Sequence, residues 1–230
     1  MPPVEVTLYR SIVGSLRYLV HTRPDIAYAV GHVSRFMEHP TEEHMGAVKH
    51  VLRYMAGMLD YGCHYGTEPG AHSVLTGFNN SDMAGDINTR KSTTGVLFFL
   101  GNKPISWQSQ KQKVVALSSC EVEYIAATTV ATQGIWLARL HGDLIGEEPT
   151  AAKLMVDSKS AISLIKNPVF HVRSKHIDLC FHFIRECVEN KQILVEYTSS
   201  ESQLADILTK PLGRVKFQEM RRKIGVKKIK

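Results

Sequence analysis

The chain has 230 residues, 43% of them hydrophobic and 22% charged, the balance of a globular protein of one or two domains. That balance excludes disordered, collagen-like and fibrous chains. No run approaches the roughly 18 apolar residues of a membrane span, and the first 30 residues lack a signal-peptide core. The net charge of +6 is local: residues 214–230 hold eight Lys or Arg against one Glu, so residues 1–213 sum to −1. A charge run of this kind reads first as a solvated end, with phosphate binding as the other reading.

In chain order, helix comes first. Asp25 to Met37 places Ile26, Val30, Val33 and Met37 on one stripe, between Pro24 and Pro40. Thr41 is an N-cap for a second helix with Met45, Val48, Leu52, Met55 and Leu59 at spacings of three or four. Residues 60–72, DYGCHYGTEPGAH, read as a turn or linker, with a boundary near residue 70. Three strand-like runs follow at 74–78, 95–100 and 104–107. A long helix is expected from Ser119 to about His141, then a strand at 152–157, a short helix in SKSAISLIK and a longer one at 174–190. A strand at 193–198 and a helix at 202–210 complete the pattern. Three strands in meander followed by strands alternating with helices predict a mixed sheet, antiparallel on one side and parallel on the other. The domain reading is 1–70 helical, 71–212 α/β, and 213–230 a basic tail.

Four cysteines, Cys63, Cys120, Cys180 and Cys187, form no CxxC pair. Reduced thiols are expected, in keeping with an intracellular, cytoplasmic or nuclear protein. His171, His176 and His182 are spaced by five and six, which does not stack them on one helix face, so a structural role is expected rather than a metal site.

Four acids fall at element ends. Asp82 follows the first strand of the meander, Glu123 lies early in the long helix, Asp157 ends the fourth strand, and Asp206 sits in the last helix. Carboxylates from separate elements are the ligand set of a hard divalent cation, and a pair of such cations can clamp the attacking and leaving oxygens of a phosphodiester. By spacing alone, solvated surface charge is the competing reading. Arg90 and Lys91 in one turn, and Lys111 and Lys113 beside Trp107 and Gln108, could touch a nucleic-acid backbone or stand in solvent.

The local wording goes further. GFNNSDMAGDINTRKSTTG, ISWQSQKQKVVALSSCEVEYIAA, VDSKSAISLIKNPVFHVRSKHIDLCFHFIRE and SQLADILTKPL resemble the ribonuclease H domain of copia-type retrotransposon polyproteins. YRSIVGSLRYLVHTRPDIAYAVGHVSRFM is similar to the end of the reverse transcriptase that precedes that domain. The resemblance runs in order from about Leu8 to Gly225. It implies a ribonuclease-H-like α/β fold, a mixed five-stranded sheet flanked by helices, preceded by a small all-helical segment. It also implies Mg²⁺ or Mn²⁺, an RNA–DNA hybrid as partner, the rest of a reverse transcriptase as a second one, and no membrane. Of the family's four metal-binding acids, it assigns three to Glu123, Asp157 and Asp206.

The fourth departs from the pattern. Where the family reads G-Y-S-D-A-D-W-A-G-D, this chain reads GFNNSDMAGD, so Asn80 replaces the first aspartate while Asp82 retains the second and Met83 replaces tryptophan. An amide offers one neutral oxygen and turns two N–H donors toward a cation. Asp82 shares the strand face of Asn80 but lies about 6–7 Å further on. Asn80, Glu123, Asp157 and Asp206 therefore form the expected catalytic set, with Asp82 as an additional metal ligand and hydrolysis impaired. The alternative is a non-catalytic remnant serving as a nucleic-acid-binding or protein-interaction module. No aromatic-x-Asp-Asp motif occurs, which excludes polymerisation by this segment.

Overall fold

A computed structural model of the chain describes residues 4–66, 74–166 and 178–229. The chain divides into two units, Met1–Gly66 with Lys210–Lys230, and Thr67–Thr209.

In the first unit, Glu5 caps helix α1 (Val6–Val20), its carboxylate accepting from the Thr7 and Leu8 N–H groups at 2.9 and 2.7 Å. Tyr9, Val13 and Leu16, spaced by four and three, form its buried stripe. The helix expected over Asp25–Met37 is broken into a 3₁₀ turn at Pro24–Ile26, helix α2 (Ala27–Val33) and a second 3₁₀ turn at Ser34–Phe36. The Ser34 hydroxyl donates to the Val30 carbonyl at 2.7 Å where α2 gives way to the second 3₁₀ turn. Helix α3 (Glu42–Ala56) starts at Thr41 as expected, and the Thr41 N–H donates to His44 Nδ1 at 3.1 Å. Its buried side chains are Met45, Val48 and Val51, whereas Leu52 and Leu59, assigned to the stripe from spacing, are exposed.

Residues 60–66 are more than a linker. Strand β1 (Tyr61–Cys63) pairs antiparallel with β7 (Val226–Lys228) in a two-stranded ribbon, Tyr61 opposite Lys228 and Cys63 opposite Val226. The basic segment is folded up to that strand: helix α7 (Arg214–Lys223) buries Met220, and Ile224 and Val226 are likewise buried. Phe217 packs edge-on against Tyr54, and the Arg221 guanidinium lies 4.7 Å over the Tyr61 ring. Several of its cations are already engaged, Glu219 pairing with Lys223 at 2.7 Å and Lys216 at 3.4 Å.

The second unit is an α/β sandwich around one five-stranded sheet. Strands β2 (Leu75–Ser81), β3 (Thr93–Leu100) and β4 (Lys103–Lys111) form the antiparallel meander, and β5 (Ala152–Val156) and β6 (Ile193–Tyr197) add in parallel beside β2. The order is β4-β3-β2-β5-β6, the mixed sheet expected from the sequence. Helices α4 (Ser119–Ile145), α5 (Lys159–Lys166) and α6 (Asp178–Glu189) supply the rest of the core, which Phe98, Tyr124, Val130, Leu154, Ile165 and Ile184 fill. The expected start of the α6 helix, residues 174–177, falls outside the described residues. Ser118 caps α4 with its side chain, and Gly146 ends it at φ +72°, a conformation that suits glycine. Among the described residues no helix is long and apolar enough to cross a membrane, and all four cysteines are free thiols.

Strand alternation sends Leu75, Gly77 and Asn79 into the core beside α4, and Asn80 to the other face. Asn79 is fully buried, and among the described residues neither its amide nitrogen nor its amide oxygen has a hydrogen-bond partner. Each desolvated, unmade bond costs about 1–3 kcal/mol. Asn79→Val, which suits a strand, is expected to raise stability by about 1–3 kcal/mol, read as a higher midpoint in a urea melt.

Candidate active site

The register of parallel strands β2 and β5 runs to Phe78 opposite Met155. Two residues beyond that pair stand Asn80, still in β2, and Asp157, just past the end of β5, so both lie at the same end of the sheet. On the face away from α4, a 3₁₀ turn at Leu204–Leu208 carries Asp206. The sequence pattern suggested a regular helix over 202–210; the chain instead makes two 3₁₀ turns, at Ser200–Ser202 and Leu204–Leu208. The buried Gln203 accounts for the second: its Oε1 accepts from the Ala205 N–H at 3.2 Å and its Nε2 donates to the Met155 carbonyl at 3.5 Å. That pins the turn to β5, and Ala205, Ile207 and Leu208 are buried with it.

Close approach of this turn to β3 depends on Gly95, which pairs with Asn80 across the sheet. A Cβ at Gly95 would lie 2.8 Å from Leu208 Cβ and Thr209 Cγ2 and 2.9 Å from the Ala205 carbonyl oxygen. Gly95→Ala is therefore expected to destabilise the unit by roughly 1–3 kcal/mol, measured by chemical denaturation, and to push Asp206 off the sheet.

Asn80 and Asp206 meet directly. The Asn80 Nδ2 donates to Asp206 Oδ1 and, at 3.3 Å, to Thr209 Oγ1. The Asn80 Oδ1 accepts from the Ser81 N–H at 2.8 Å, and both residues are buried, Asn80 5% and Asp206 8% exposed. Asp157 and Glu123 are half-buried. Glu123 sits near the N-terminus of α4, which covers the opposite face of the sheet from the Asp206 turn. Asp82 is folded into the turn after β2: its N–H donates to the Thr93 carbonyl at 3.1 Å, and its Oδ1 accepts from the Thr93 N–H. A Cβ on Gly85 would collide with that carboxylate.

These positions do not fit a divalent cation as they stand. Among the described residues no three His, Cys, Asp or Glu side chains gather closely enough to hold a metal ion. Where the first carboxylate would be, an amide presents N–H donors, which no cation accepts.

Of the basic residues expected at a nucleic-acid surface, Arg90 is exposed in the β2–β3 connection with φ +54°, and its N–H donates to the Asp86 carbonyl at 2.7 Å. Lys91 is half-buried beside it. Lys111 is tied to Asp86 at 2.6 Å. The Lys111 bond, with the N–H and hydroxyl of Thr89, holds the Asp86 carboxyl well below the usual carboxylate range against the opposing effect of burial. Lys113 is exposed and, with Lys111, Gln108 and Gln110, lines a hollow of about 220 Å³ beside α4. His182 is exposed on α6, whereas His171 and His176 fall outside the described residues.

Sequence reasoning passed over Gln112. This buried amide donates to Ser81 Oγ at 3.1 Å, Thr94 Oγ1 at 2.9 Å and the Val122 carbonyl at 3.3 Å. It ties the ends of β2 and β3 to the first turns of α4. A glutamine between Lys111 and Lys113 carries no sequence signal that separates it from a solvated loop.

No family model matches the chain. It is 48% identical over 220 residues to the retrovirus-related Pol polyprotein from transposon TNT 1-94 of Nicotiana tabacum, covering 95% of this chain and 16% of that protein. It is 44% identical over 223 residues to the Pol polyprotein from transposon RE2 of Arabidopsis thaliana, covering 97% and 15%. The chain thus spans about a sixth of the length of these relatives. Among solved structures it is similar to a foamy viral protease–reverse transcriptase in complex with double-stranded DNA, at 13% identity and TM-score 0.52 over 87% of this chain and 33% of that one. It is also similar to an N-terminal RNase H domain from Mycobacterium tuberculosis fused to maltose binding protein, at 12% identity and TM-score 0.45, covering 65% and 97%. With its meander-plus-parallel sheet and its likeness to the tobacco and Arabidopsis proteins over almost its whole length, the chain belongs to the copia-type retrotransposon Pol polyproteins, as a segment with a ribonuclease-H-like fold.

Proposed function

We propose that this segment is a ribonuclease H domain that binds RNA–DNA hybrids and has lost most of its power to hydrolyse the RNA strand. The observation that carries this reading is the Asn80 amide donating to the Asp206 carboxylate at the end of the sheet. Asn80, Glu123, Asp157 and Asp206 stand where the family resemblance assigns its acids, and one of the four cannot carry negative charge. In this reading Asp82 does not restore the set, because it lies past the end of β2, where the Thr93 N–H holds it in the turn.

The hybrid is gripped by backbone and groove shape. Arg90, Lys91 and Lys113 supply cations to phosphates, while Lys111 keeps Asp86 in place and shapes the turn that carries Arg90. A binding module without catalysis is the second reading, and the same amide favours it.

The test is a labelled RNA–DNA hybrid offered to the native chain in Mg²⁺ and in Mn²⁺, with binding followed by anisotropy and cleavage on a gel. Binding with little cleavage is the expected result. Cleavage by the native chain at the rate of its Asn80→Asp variant overturns the impairment, and absence of hybrid binding overturns the ribonuclease H reading.

A further inference from the structure

We infer that Asn80 has taken over the structural part of a cation's work: its amide holds Asp206 against the sheet, so the fold needs no divalent ion and the site has no useful affinity for one. The inference rests on the ribonuclease H reading of these carboxylates and adds a statement about stability to it.

A buried carboxylate needs a positively polarised partner. At Asp206 that partner is the Asn80 amide nitrogen. The orientation of the amide is set on both sides. Its oxygen is occupied by the Ser81 N–H at 2.8 Å, which turns the nitrogen toward Asp206 and toward Thr209 Oγ1 at 3.3 Å. Thr209 completes the arrangement, since its hydroxyl donates to the Asp206 main-chain carbonyl at 3.2 Å and leaves its lone pairs facing Asn80. Every group around the Asp206 carboxylate that these contacts bring in therefore presents hydrogen or is already bonded. A cation approaching the Asp206 carboxylate from the Asn80 side would face N–H hydrogens where it needs oxygen lone pairs.

The same geometry says what an aspartate would do at position 80. Two carboxylates would meet in a buried pocket, and like charges so placed cannot both ionise without a proton or a cation between them. The single oxygen-to-nitrogen difference thus exchanges a cation-dependent contact for a cation-independent one. Asn80 is a positioning residue in this account, acting through Asp206.

Thermal unfolding of the native chain and of Asn80→Asp, each in EDTA and in millimolar Mg²⁺ or Mn²⁺, tests this directly. The native midpoint is expected to stay the same in all three. The midpoint of Asn80→Asp is expected to be lower than native in EDTA and to rise by about 3–6 °C when the cation is added. A native chain that gains several degrees from the cation overturns the inference, and so does an Asn80→Asp variant that folds and ignores it.

A second measurement needs no variant. In a titration of the native chain with Mn²⁺, followed by the paramagnetic resonance of the free ion, the signal is expected to grow as it does in buffer. Uptake of one or more ions per chain at submillimolar Mn²⁺ overturns the inference even if Asn80→Asp fails to fold. The two readings fail separately. Loss of hybrid binding removes the ribonuclease H function while the Mn²⁺ result stands, whereas Mn²⁺ uptake removes the cation-free site and leaves hybrid binding in place.

Discussion

Asn80→Asp is expected to raise cleavage of an RNA–DNA hybrid by about 10²-fold or more over the native chain, measured as initial rates in Mg²⁺ at equal hybrid occupancy. The size follows from charge placement. In the ribonuclease H reading the first acid would help hold the divalent cations that balance charge developing on the reacting phosphate, and losing its negative charge costs several kcal/mol of transition-state stabilisation, at about 1.4 kcal/mol per factor of ten. The change is local, because the side chain keeps its shape and its place at the penultimate residue of β2. Hybrid binding is expected to change little, since the contacts assigned to Arg90, Lys91 and Lys113 lie elsewhere. A revertant that binds hybrid and cuts no faster than native would show that Asn80 is not the defect.

The largest stability effect is expected in the first unit, at Arg23→Ala. The Arg23 guanidinium grips Asp25 with two bonds, Nε to Oδ1 at 2.9 Å and Nη2 to Oδ2 at 2.7 Å, and both side chains are almost wholly buried. The Tyr54 hydroxyl adds a third, donating to Asp25 Oδ2 at 2.6 Å. Burial first, and then the Asp25 charge, push the Tyr54 phenol up to about 12, so it stays a donor across the accessible pH range. Without Arg23, Asp25 is left buried with a hydroxyl as its main support, and the cost is about 3–5 kcal/mol. Urea unfolding checks the size. A double variant, Arg23→Met with Asp25→Leu, is expected to lose much less, because it buries no unpaired charge. Equal losses in the single and double variants would mean that packing rather than charge is at stake.

How far the sequence discloses this molecule depends on the distance between interacting residues. The meander and the strand–helix alternation that follows were legible because each rests on local periodicity. The capping of α3 by Thr41 was legible for the same reason. The pairing of β1 with β7 was not, since Tyr61 lies among glycines and Val226 among lysines, and each finds a partner only at the far end of the chain. The break of the Asp25–Met37 helix into a short α-helix between two 3₁₀ turns is not registered by apolar spacing, which does not separate α from 3₁₀ turns.

At the candidate site the residue types were legible and their arrangement was not. The substitution at Asn80 is visible in GFNNSDMAGD, yet its contact with Asp206 joins residues 126 positions apart. The turn that delivers Asp206 is 3₁₀ rather than helical because Gln203 anchors it to β5. Asp82, two residues from Asn80 and nominally on the same strand face, is captured by the Thr93 backbone instead. Period-two alternation holds only while the strand lasts, and β2 ends at Ser81.

The ribbon of β1 and β7 also sets an order of events during synthesis. Met58 and Arg221, in contact in the first unit, are separated by 163 positions, and the whole second unit is translated between them. A ribosome therefore finishes the five-stranded sheet before it releases Met220, Ile224 and Val226, which the first unit buries. At about 5–20 residues per second, the helices of the first unit wait many seconds for these residues, while the second unit is free to fold on arrival. A message truncated after Thr209 would yield a five-stranded sheet with its strands in place and a helical unit still lacking its closing strand.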